Sequence, residues 1–255
     1  MIRAGHRRPI RTPKDPAYLR DLFSTSARYY EWVNAVTSLG QVVLWRREVI
    51  RAARLSQTDK VLDAFCGPGS LALYAAPHMS GNGRLVLADL SPVMLDRARA
   101  RLAAETSHHS NPPPAVDYVA GDLLHDDLGL TDFDVVLLGW GLRYVENVPE
   151  TLARVRSFLR PGGRLVVLEF TRPAGPSLAT PAQWYFRHVL PAIGSLLARD
   201  RELHEYLSVS AAEFRMATEL AKTIEETGFA LESRRSHLGG LVTIVAAIRT
   251  EPRPA

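Results

Sequence analysis

The chain of 255 residues is long enough for one α/β domain with a substantial core, and 46% hydrophobic with 23% charged residues is typical of a globular protein. No apolar run approaches the roughly 18 residues of a membrane span, which argues against an integral membrane protein. The single cysteine, Cys66, excludes an intrachain disulfide and a cysteine-cluster metal site, and we expect no metal.

The net charge of +4 is concentrated at the N-terminus. The first 20 residues carry six basic side chains against Asp15 alone, so the rest of the chain carries a net charge of about −1. A nucleic-acid enzyme spreads basic charge over the folded surface that follows the phosphates. We therefore expect no nucleic-acid partner. We also expect a cytoplasmic location, a flexible basic arm over residues 1–17 and one domain over residues 18–255. Peripheral membrane contact and the oligomeric state, a homodimer included, remain open.

The predicted elements begin with two helices in residues 18–55, interrupted at Gly40, and continue as alternating strands and helices. The predicted strands are Lys60–Asp63, Arg84–Ala88, Val116–Val119, Val135–Leu138 and Arg164–Phe170. The predicted helices are Ser70–His78, a helix capped by Ser91 that ends near Ala104, and Pro149–Leu159, which the turn Pro161-Gly162-Gly163 follows. Strand-helix alternation predicts parallel strands with helices on both faces of the sheet.

The order of elements changes near the C-terminus. A helix at about 211–227 precedes two strands, Ala230–His237 and Leu241–Ile248, which only a short turn at Gly239-Gly240 separates. Strands this close in sequence form a hairpin, so the last strand is expected to be antiparallel to its neighbour. This ending is less typical of nicotinamide-binding folds.

An apolar and aromatic insertion over residues 171–207 interrupts the alternation. It follows a strand whose carboxyl end faces the ligand crevice of an open α/β sheet. The insertion therefore fits either a lid over an apolar substrate or an extra helix packed on the core.

A strand that runs into a glycine-rich turn and then a helix is the clearest local motif: Val61-Leu62-Asp63-Ala64-Phe65-Cys66-Gly67-Pro68-Gly69-Ser70. Glycines let the backbone approach a ligand closely, and the following helix N-terminus favours a negative group. By itself the motif is weak, because it also matches the dinucleotide pattern G-x-G-x-x-G/A.

Three carboxylates after successive strands favour an adenosyl amino acid over a dinucleotide. Asp63 precedes the turn, where it can meet a cationic amine but would repel a pyrophosphate. Asp89 ends the next strand and can accept hydrogen bonds from both ribose hydroxyls. Asp122 follows the third strand and can accept from an adenine amino group.

Longer motifs show a family resemblance from about Phe23 to Ile248. They are Tyr30-x-x-x-Asn34-x-x-x-Ser38-x-Gly40 with Trp45-Arg46, Asp63-x-x-Cys66-Gly67-x-Gly69, Gly141-Leu142-Arg143, Arg160–Phe170 and Tyr206-Leu207-x-x-Ser210. With these motifs the chain resembles the ubiquinone/menaquinone biosynthesis C-methyltransferase family of the class I S-adenosylmethionine-dependent methyltransferases.

This resemblance implies a Rossmann-like α/β fold, with a seven-stranded, mostly parallel sheet, an antiparallel last strand and helices on both faces. It implies S-adenosylmethionine as cofactor and S-adenosylhomocysteine as product. The residues expected to bind the cofactor are Tyr30, Asp63, Gly67, Pro68, Gly69, Asp89, Leu90, Met94, Asp122, Leu123 and Gly139.

The chain departs from the family at two positions of the catalytic machinery. The family carries an acid where this chain has Ser70, and an asparagine after Gly-Leu-Arg where it has Tyr144. The catalytic candidates are therefore Arg143, which could stabilise an acceptor oxyanion, with Tyr144 or His204 beside it. His204 is a candidate base because imidazole titrates near neutrality.

Three functions remain open at this point. The first is C- or O-methylation of a quinone precursor, and the second is methylation of another aromatic or apolar specialised metabolite. The third is a protein that keeps the fold and the cofactor but catalyses a cyclisation or another reaction without methyl transfer. In each of them the partner is a small apolar or aromatic molecule.

Overall fold

The computed structural model of the protein describes residues 14–26, 31, 35, 38, 40–106, 113–173, 206–207, 209–210 and 214–251. Its α-helices, in chain order, are α1 (Pro16–Ser26), α2 (Gln41–Ala53), α3 (Ser70–Ala75), α4 (Pro92–Thr106), α5 (Val148–Phe158) and α6 (Ala217–Glu226). The strands are β1 (Lys60–Ala64), β2 (Arg84–Asp89), β3 (Ala115–Ala120), β4 (Phe133–Gly139), β5 (Leu159–Phe170), β6 (Phe229–His237) and β7 (Val242–Arg249).

These strands form one seven-stranded sheet in the order β3-β2-β1-β4-β5-β7-β6. Strands β1 to β5 pair in parallel, whereas β7 lies between β5 and β6 and is antiparallel to both. The predicted architecture is confirmed, including the C-terminal hairpin. The chain order reverses between β1 and β4, and such a switch point opens a crevice at the carboxyl ends of the strands.

The core has two layers because neighbouring strand residues point to opposite faces of the sheet. In β1, Val61 packs in the layer with α2, α3 and α4, while Leu62 packs in the layer with α5 and α6. Leu137 and Leu138 of β4 divide between the two layers in the same way. Burial on both faces explains why β1, β2 and β4 appear in the sequence as short continuous apolar runs.

Two predicted elements differ in detail. The Pro-Gly-Gly turn is a bulge inside β5: Phe133 pairs with Leu159 and Val135 with Arg164, so residues 160–163 loop out between two paired segments. Residues 211–213 of the helix predicted at 211–227 lie outside the described residues, and α6 begins at Ala217, because Met216 forms a β-bridge to Arg172 and is fixed as the helix cap.

Two predicted segments, the basic arm and the lid, lie mostly outside the described residues. Residues 1–13 of the predicted arm and residues 174–205 of the predicted lid lie outside the described residues. At the described end of the arm, Lys14 donates a hydrogen bond of 2.7 Å to the carbonyl oxygen of Val145, and α1 begins at Pro16.

Candidate functional site

A cavity of about 400 Å³ opens at the carboxyl ends of β1, β2, β3 and β4. This volume is within the range of small-molecule sites, and the position is the one that the switch in strand order creates. The lining includes residues that directly follow each of these strands: Phe65 and Gly67, Leu90 and Ser91, Gly121 to His125, and Trp140 and Gly141.

The turn after β1 brings the backbone close to this cavity. Gly67 has φ +52° and lines the cavity, and a Cβ built on it would meet nothing within 4 Å. Gly69 has φ +71° and faces the protein interior, where its Cβ would lie 2.9 Å from Cβ of Ala98. One glycine therefore leaves room for a ligand, and the other lets α3 and α4 pack together.

Asp89 fixes the shape of the turn from the end of β2. Its Oδ2 accepts a hydrogen bond of 2.8 Å from the amide of Gly67, and its Oδ1 accepts one of 2.9 Å from the amide of Ser91. Burial raises the pKa of the Asp89 carboxyl, and the two amides oppose the rise. Because each carboxylate oxygen can accept a second hydrogen bond, Asp89 can still bind two hydroxyls from the cavity side.

Asp122 occupies the corresponding place after β3. Its oxygens contact the amide of Leu124 and Nδ1 of His125, both at 2.8 Å. Partial burial would raise the pKa of Asp122, but the hydrogen bonds from His125 and Leu124 outweigh it and the pKa is lowered. The buried side chains of Met94 and Leu123 supply apolar cavity walls nearby.

Asp63 lies deeper than the other two acids. Its side chain is buried and accepts a hydrogen bond of 2.9 Å from the amide of Ala72 in α3. Burial raises the pKa of Asp63 to about 8, and the negative charge of Asp89 adds to the rise. Among the described residues, Asp63, Pro68 and Gly69 are not part of the cavity lining.

Two aromatic residues of the lining adopt a backbone conformation that residues other than glycine rarely take. Phe65, directly after β1, has φ +54°, and Trp140, directly after β4, has φ +62°. Bulky residues in the left-handed region are strained, and such strain concentrates at functional sites. The ring of Trp140 packs against that of Phe170 at a centroid distance of 4.3 Å.

Helix α1 covers one side of the cavity. Leu19 and Phe23 of α1 line the cavity, and Ser24 contacts the hydroxyl of Ser91 at 2.8 Å. Leu19 also packs in a small cluster with Tyr206. The helical spacing of apolar residues in α1 was the available signal, but the surface that it covers depends on tertiary packing.

The two described catalytic candidates lie at different depths. Tyr144 lines the cavity, whereas Arg143 is 3% exposed and is not part of the described lining. Arg143 Nη1 donates a hydrogen bond of 2.9 Å to Glu169 at the end of β5, and Nη2 donates to the hydroxyl of Tyr144. Glu169 belongs to the family motif Arg160–Phe170, and no role was predicted for it.

A second charged cluster lies beside the glycine turn. Glu31 accepts two hydrogen bonds from Arg46, at 2.8 and 3.0 Å, one of 3.2 Å from Arg101 and one of 2.6 Å from the hydroxyl of Ser70. Partial burial would raise the pKa of Glu31, but the two arginines and Ser70 outweigh it, and the pKa is lowered. Arg101 also donates to the carbonyl oxygen of Pro68, which ties the cluster to the turn.

The structure brings together most of the residues that were expected to bind a cofactor. Gly67, Asp89, Leu90, Met94, Asp122, Leu123 and Gly139 all line the one cavity. Tyr30 and His204 lie outside the described residues. Within the described ranges, no helix is long and apolar enough to cross a membrane, and no group of three or more His, Cys, Asp or Glu could hold a metal ion.

Solved structures share this fold. The chain aligns with magnesium protoporphyrin IX methyltransferase from Synechocystis, determined with bound S-adenosylhomocysteine, at a TM-score of 0.62 and 18% identity, over 92% of this chain and all of the other. It aligns with a TehB-like S-adenosylmethionine-dependent methyltransferase from Corynebacterium glutamicum at a TM-score of 0.55 and 19% identity, over 93% of this chain and all of the other. These likenesses confirm the class I methyltransferase fold.

Sequence relatives are more specific. The chain is 34% identical to a demethylmenaquinone methyltransferase of Mycolicibacterium vanbaalenii, covering 92% of this chain and 96% of the relative. It is 30% identical to a ubiquinone/menaquinone biosynthesis C-methyltransferase of Legionella pneumophila over 90% of both chains. The sequence profile of the ubiE/COQ5 methyltransferase family matches residues 11–249. The expected resemblance is thus confirmed, and this protein is a methyltransferase that belongs to the ubiE/COQ5 methyltransferase family.

Proposed function

We propose that this protein uses S-adenosylmethionine to methylate a ring carbon of a reduced quinone precursor. The proposal rests on one cavity whose lining has a polar part and an aromatic part. Backbone turns and carboxylates at Gly67, Asp89 and Asp122 form one part, and the aromatic side chains of Phe23 and Tyr144 form another.

The first part of the lining fits an adenosyl amino acid. Gly67 leaves open space above the turn, and Asp89 can accept hydrogen bonds from the two ribose hydroxyls. Asp122 would accept from the adenine amino group, while Met94 and Leu123 would contact the adenine ring. When bound, the cofactor supplies a methyl group on a sulfonium, which is reactive enough to need no metal or covalent enzyme intermediate.

The acidic groups beneath the turn suit the other end of the cofactor. Asp63 lies 2.9 Å from the amide of Ala72 in the helix that the turn opens. We propose that the cationic amine of the bound cofactor, through the turn or directly, favours the ionised form of Asp63, whose pKa burial raises to about 8 in the free protein, and that the carboxylate then attracts the amine. Tyr30, Pro68 and Gly69 complete the proposed binding set.

The aromatic part of the lining fits a flat ring. Tyr144 is packed edge-on against Phe23 at a centroid distance of 5.0 Å, and both line the cavity. Relatives of this chain are named for the methylation of demethylmenaquinone and of ubiquinone and menaquinone precursors. A reduced quinone is the better acceptor form, because its hydroxyl donates electron density to the neighbouring ring carbon and makes that carbon a nucleophile.

The residues of the chain act mainly by alignment. The cavity residues would hold the acceptor's ring carbon beside the methyl group that the bound cofactor would supply, and the sulfur would keep the electron pair of the methyl–sulfur bond. The ring hydrogen then leaves as a proton, so that the aromatic ring is restored. Holding both partners in one cavity supplies orientation, which contributes a large part of the rate in such displacements.

Mass spectrometry tests this proposal directly. The full chain is incubated, under reducing and oxygen-free conditions, with deuteromethyl-labelled cofactor and reduced 1,4-naphthoquinone that carries a short prenyl chain at carbon 2. We expect one labelled methyl group in the product, which NMR places on the ring carbon next to the prenyl-bearing carbon. A methyl group on oxygen would contradict C-methylation. A product of unchanged mass would point instead to an isomerisation or cyclisation.

A further inference from the structure

Arg143 is held in a way that prevents direct contact with a molecule in the cavity. Its backbone amide and Nη1 donate hydrogen bonds to Glu169, at 3.3 and 2.9 Å, and Glu169 is fully buried. The rings of Phe170 and Tyr144 lie 4.9 and 4.5 Å from the centre of the guanidinium. Carboxylate and rings together confine the cation behind the cavity wall.

Among the described residues, Tyr144 both contacts this cation and lines the cavity. Arg143 Nη2 donates a hydrogen bond to the hydroxyl oxygen of Tyr144. Because a guanidinium only donates, the phenol oxygen is the acceptor in this contact, and the phenol proton is directed away from Arg143. The ring is held in place by Phe23 and by Tyr206, whose centroids lie 5.0 and 5.9 Å away.

A hydrogen bond from a cation strengthens the phenol as a donor. The charge of Arg143 draws electron density from the phenol oxygen, and because Arg143 is only 3% exposed, this interaction is stronger than it would be in solution. Glu169 keeps the cation in position, since it accepts a further hydrogen bond of 2.8 Å from the amide of Phe170 and therefore cannot turn away easily.

We propose that Tyr144 is a catalytic residue that donates its phenol proton, in a hydrogen bond, to the oxyanion of the acceptor, and that Arg143 is a positioning residue which acts only through Tyr144. This inference rests on the proposed function, because it needs a phenolic acceptor in the cavity. The acceptor hydroxyl loses its proton to water, and the resulting oxyanion pushes electron density to the ring carbon that attacks the methyl group. Removal of the ring hydrogen and reprotonation of the oxygen complete the exchange, with one proton released overall.

The ionisation of a bound phenol tests the proposal without turnover. The probe is 2-naphthol, a flat phenol with different absorption spectra in its neutral and ionised forms, titrated with pH on protein saturated with S-adenosylhomocysteine. In wild-type protein we expect the bound naphthol to ionise at lower pH than in Tyr144→Phe, by about one unit, because a donor to the oxyanion favours the charged form. Arg143→Lys should shift the ionisation in the same direction as Tyr144→Phe.

Kinetics give an independent measurement. Loss of one donor to a developing oxyanion lowers kcat by about 100-fold, and we expect this for Tyr144→Phe with little change in KM for the acceptor. The acidic limb of the kcat profile should move to higher pH, since the bound acceptor then ionises less readily. A merely structural tyrosine would lower the rate equally at all pH values.

The matched control is Tyr118→Phe. Tyr118 on β3 also lies against an arginine, with the guanidinium of Arg99 4.5 Å from its ring centre, but it is not part of the described cavity lining. This variant should show wild-type naphthol ionisation and wild-type kinetics.

The experiment distinguishes a failure of the proposed acceptor class from a failure of the proposed role of Tyr144. If wild-type protein saturated with S-adenosylhomocysteine does not bind 2-naphthol, the proposed acceptor class is wrong and the role of Tyr144 fails with it. If the naphthol binds but ionises at the same pH in wild type and in Tyr144→Phe, the role of Tyr144 alone is overturned. Equal affinity of both proteins for S-adenosylhomocysteine, measured by calorimetry, shows that Tyr144→Phe has kept the folded site.

Discussion

The hydroxyl of Ser70 donates a hydrogen bond of 2.6 Å to the carboxylate of Glu31. Ser70 directly follows the glycine turn, at the position where the family resemblance leads one to expect an acid. Glu31 is also the partner of Arg46, whose side chain is 7% exposed. The serine therefore completes a charge cluster, and a carboxylate at position 70 would be placed against the one of Glu31.

Removal of the Glu31 carboxylate should destabilise the protein. In Glu31→Ala, Arg46 would keep its charge in a buried place without its carboxylate, and breaking such a pair costs about 3 kcal/mol. Urea unfolding at neutral pH measures the change. The control is Asp96→Asn, which removes the partner of Arg99 in an exposed ion pair; the side chain of Asp96 is 73% exposed and that of Arg99 is 56% exposed. This control should change the unfolding free energy by less than about 0.5 kcal/mol. Equal effects of the two variants would contradict the assigned role of Glu31.

Ser70→Asp should make stability depend on pH. Two adjacent carboxylates cannot both ionise without repulsion, so one of them should titrate at a raised pKa. We therefore expect this variant to lose unfolding free energy relative to wild type as the pH rises from about 5 to 8. Ser70→Asn, of similar size but neutral, is the control for steric effects. A pH-independent difference between Ser70→Asp and wild type would rule out the repulsion.

Asp63 should make the protein less stable as the pH rises, which is the opposite of the usual effect of a carboxylate. Burial raises its pKa to about 8, so between about pH 4 and pH 8 the folded protein binds a proton that the unfolded chain releases. Its contribution to stability is complete below about pH 4 and is lost as the pH rises through 8. Asp63→Asn keeps an acceptor for the amide of Ala72 and removes this titration.

The measurement is the unfolding free energy at a series of pH values. In Asp63→Asn the decline between about pH 5 and pH 8 should be smaller than in wild type. Asp117→Asn, in an exposed ion pair with Arg84, should leave the slope unchanged. If Asp63→Asn has the wild-type slope, the Asp63 carboxyl is ionised throughout this range and the assignment of its pKa is wrong.

Two glycines of the same turn should respond differently to alanine. In Gly69→Ala the new methyl group would lie 2.9 Å from Cβ of Ala98 and 3.1 Å from Leu87 at a left-handed φ, which should cost at least about 2 kcal/mol of stability. In Gly67→Ala the methyl group would meet no protein atom within 4 Å, so only the backbone strain of about 1 kcal/mol applies. Because Gly67 lines the cavity, this second variant should instead lose affinity for S-adenosylhomocysteine.

Thermal unfolding and calorimetry separate the two effects. Gly69→Ala should lose more stability than Gly67→Ala. Relative to its loss of stability, Gly67→Ala should lose more affinity for S-adenosylhomocysteine than Gly69→Ala. The reverse pattern would mean that the open side of the turn does not face the ligand.

The sequence was sufficient to predict that residues following β1, β2, β3 and β4 meet in one cavity, because their positions follow from the strand ends. Once β1, β2 and β3 were recognised as parallel neighbours, the residues after them, such as Asp89 and Asp122, had to meet at one edge. This inference needs only local patterns and the rules of parallel sheets, and it also led to Gly67 and Gly139.

The charged contacts between distant parts of the chain could not be predicted in the same way. Glu31 and Ser70 are 39 residues apart, and nothing local indicates that Glu31 contacts the residue after the glycine turn. Arg143 was expected to meet the acceptor directly, yet it lies behind Tyr144 because Glu169, 26 residues further along the chain, binds it in the interior. The depth of a charged side chain depends on its partner, and the sequence pattern does not identify that partner.

Calorimetry with S-adenosylhomocysteine and with NADH, on wild-type protein and Asp89→Ala, distinguishes a site for an adenosyl amino acid from a site for a dinucleotide. Wild-type protein should bind S-adenosylhomocysteine and not NADH. Asp89→Ala, which removes the acceptor for the amides of Gly67 and Ser91, should bind neither although it remains folded. Asp117→Asn should bind like wild type. Uptake of NADH but not S-adenosylhomocysteine by wild-type protein, or unchanged S-adenosylhomocysteine affinity in Asp89→Ala, would contradict the account.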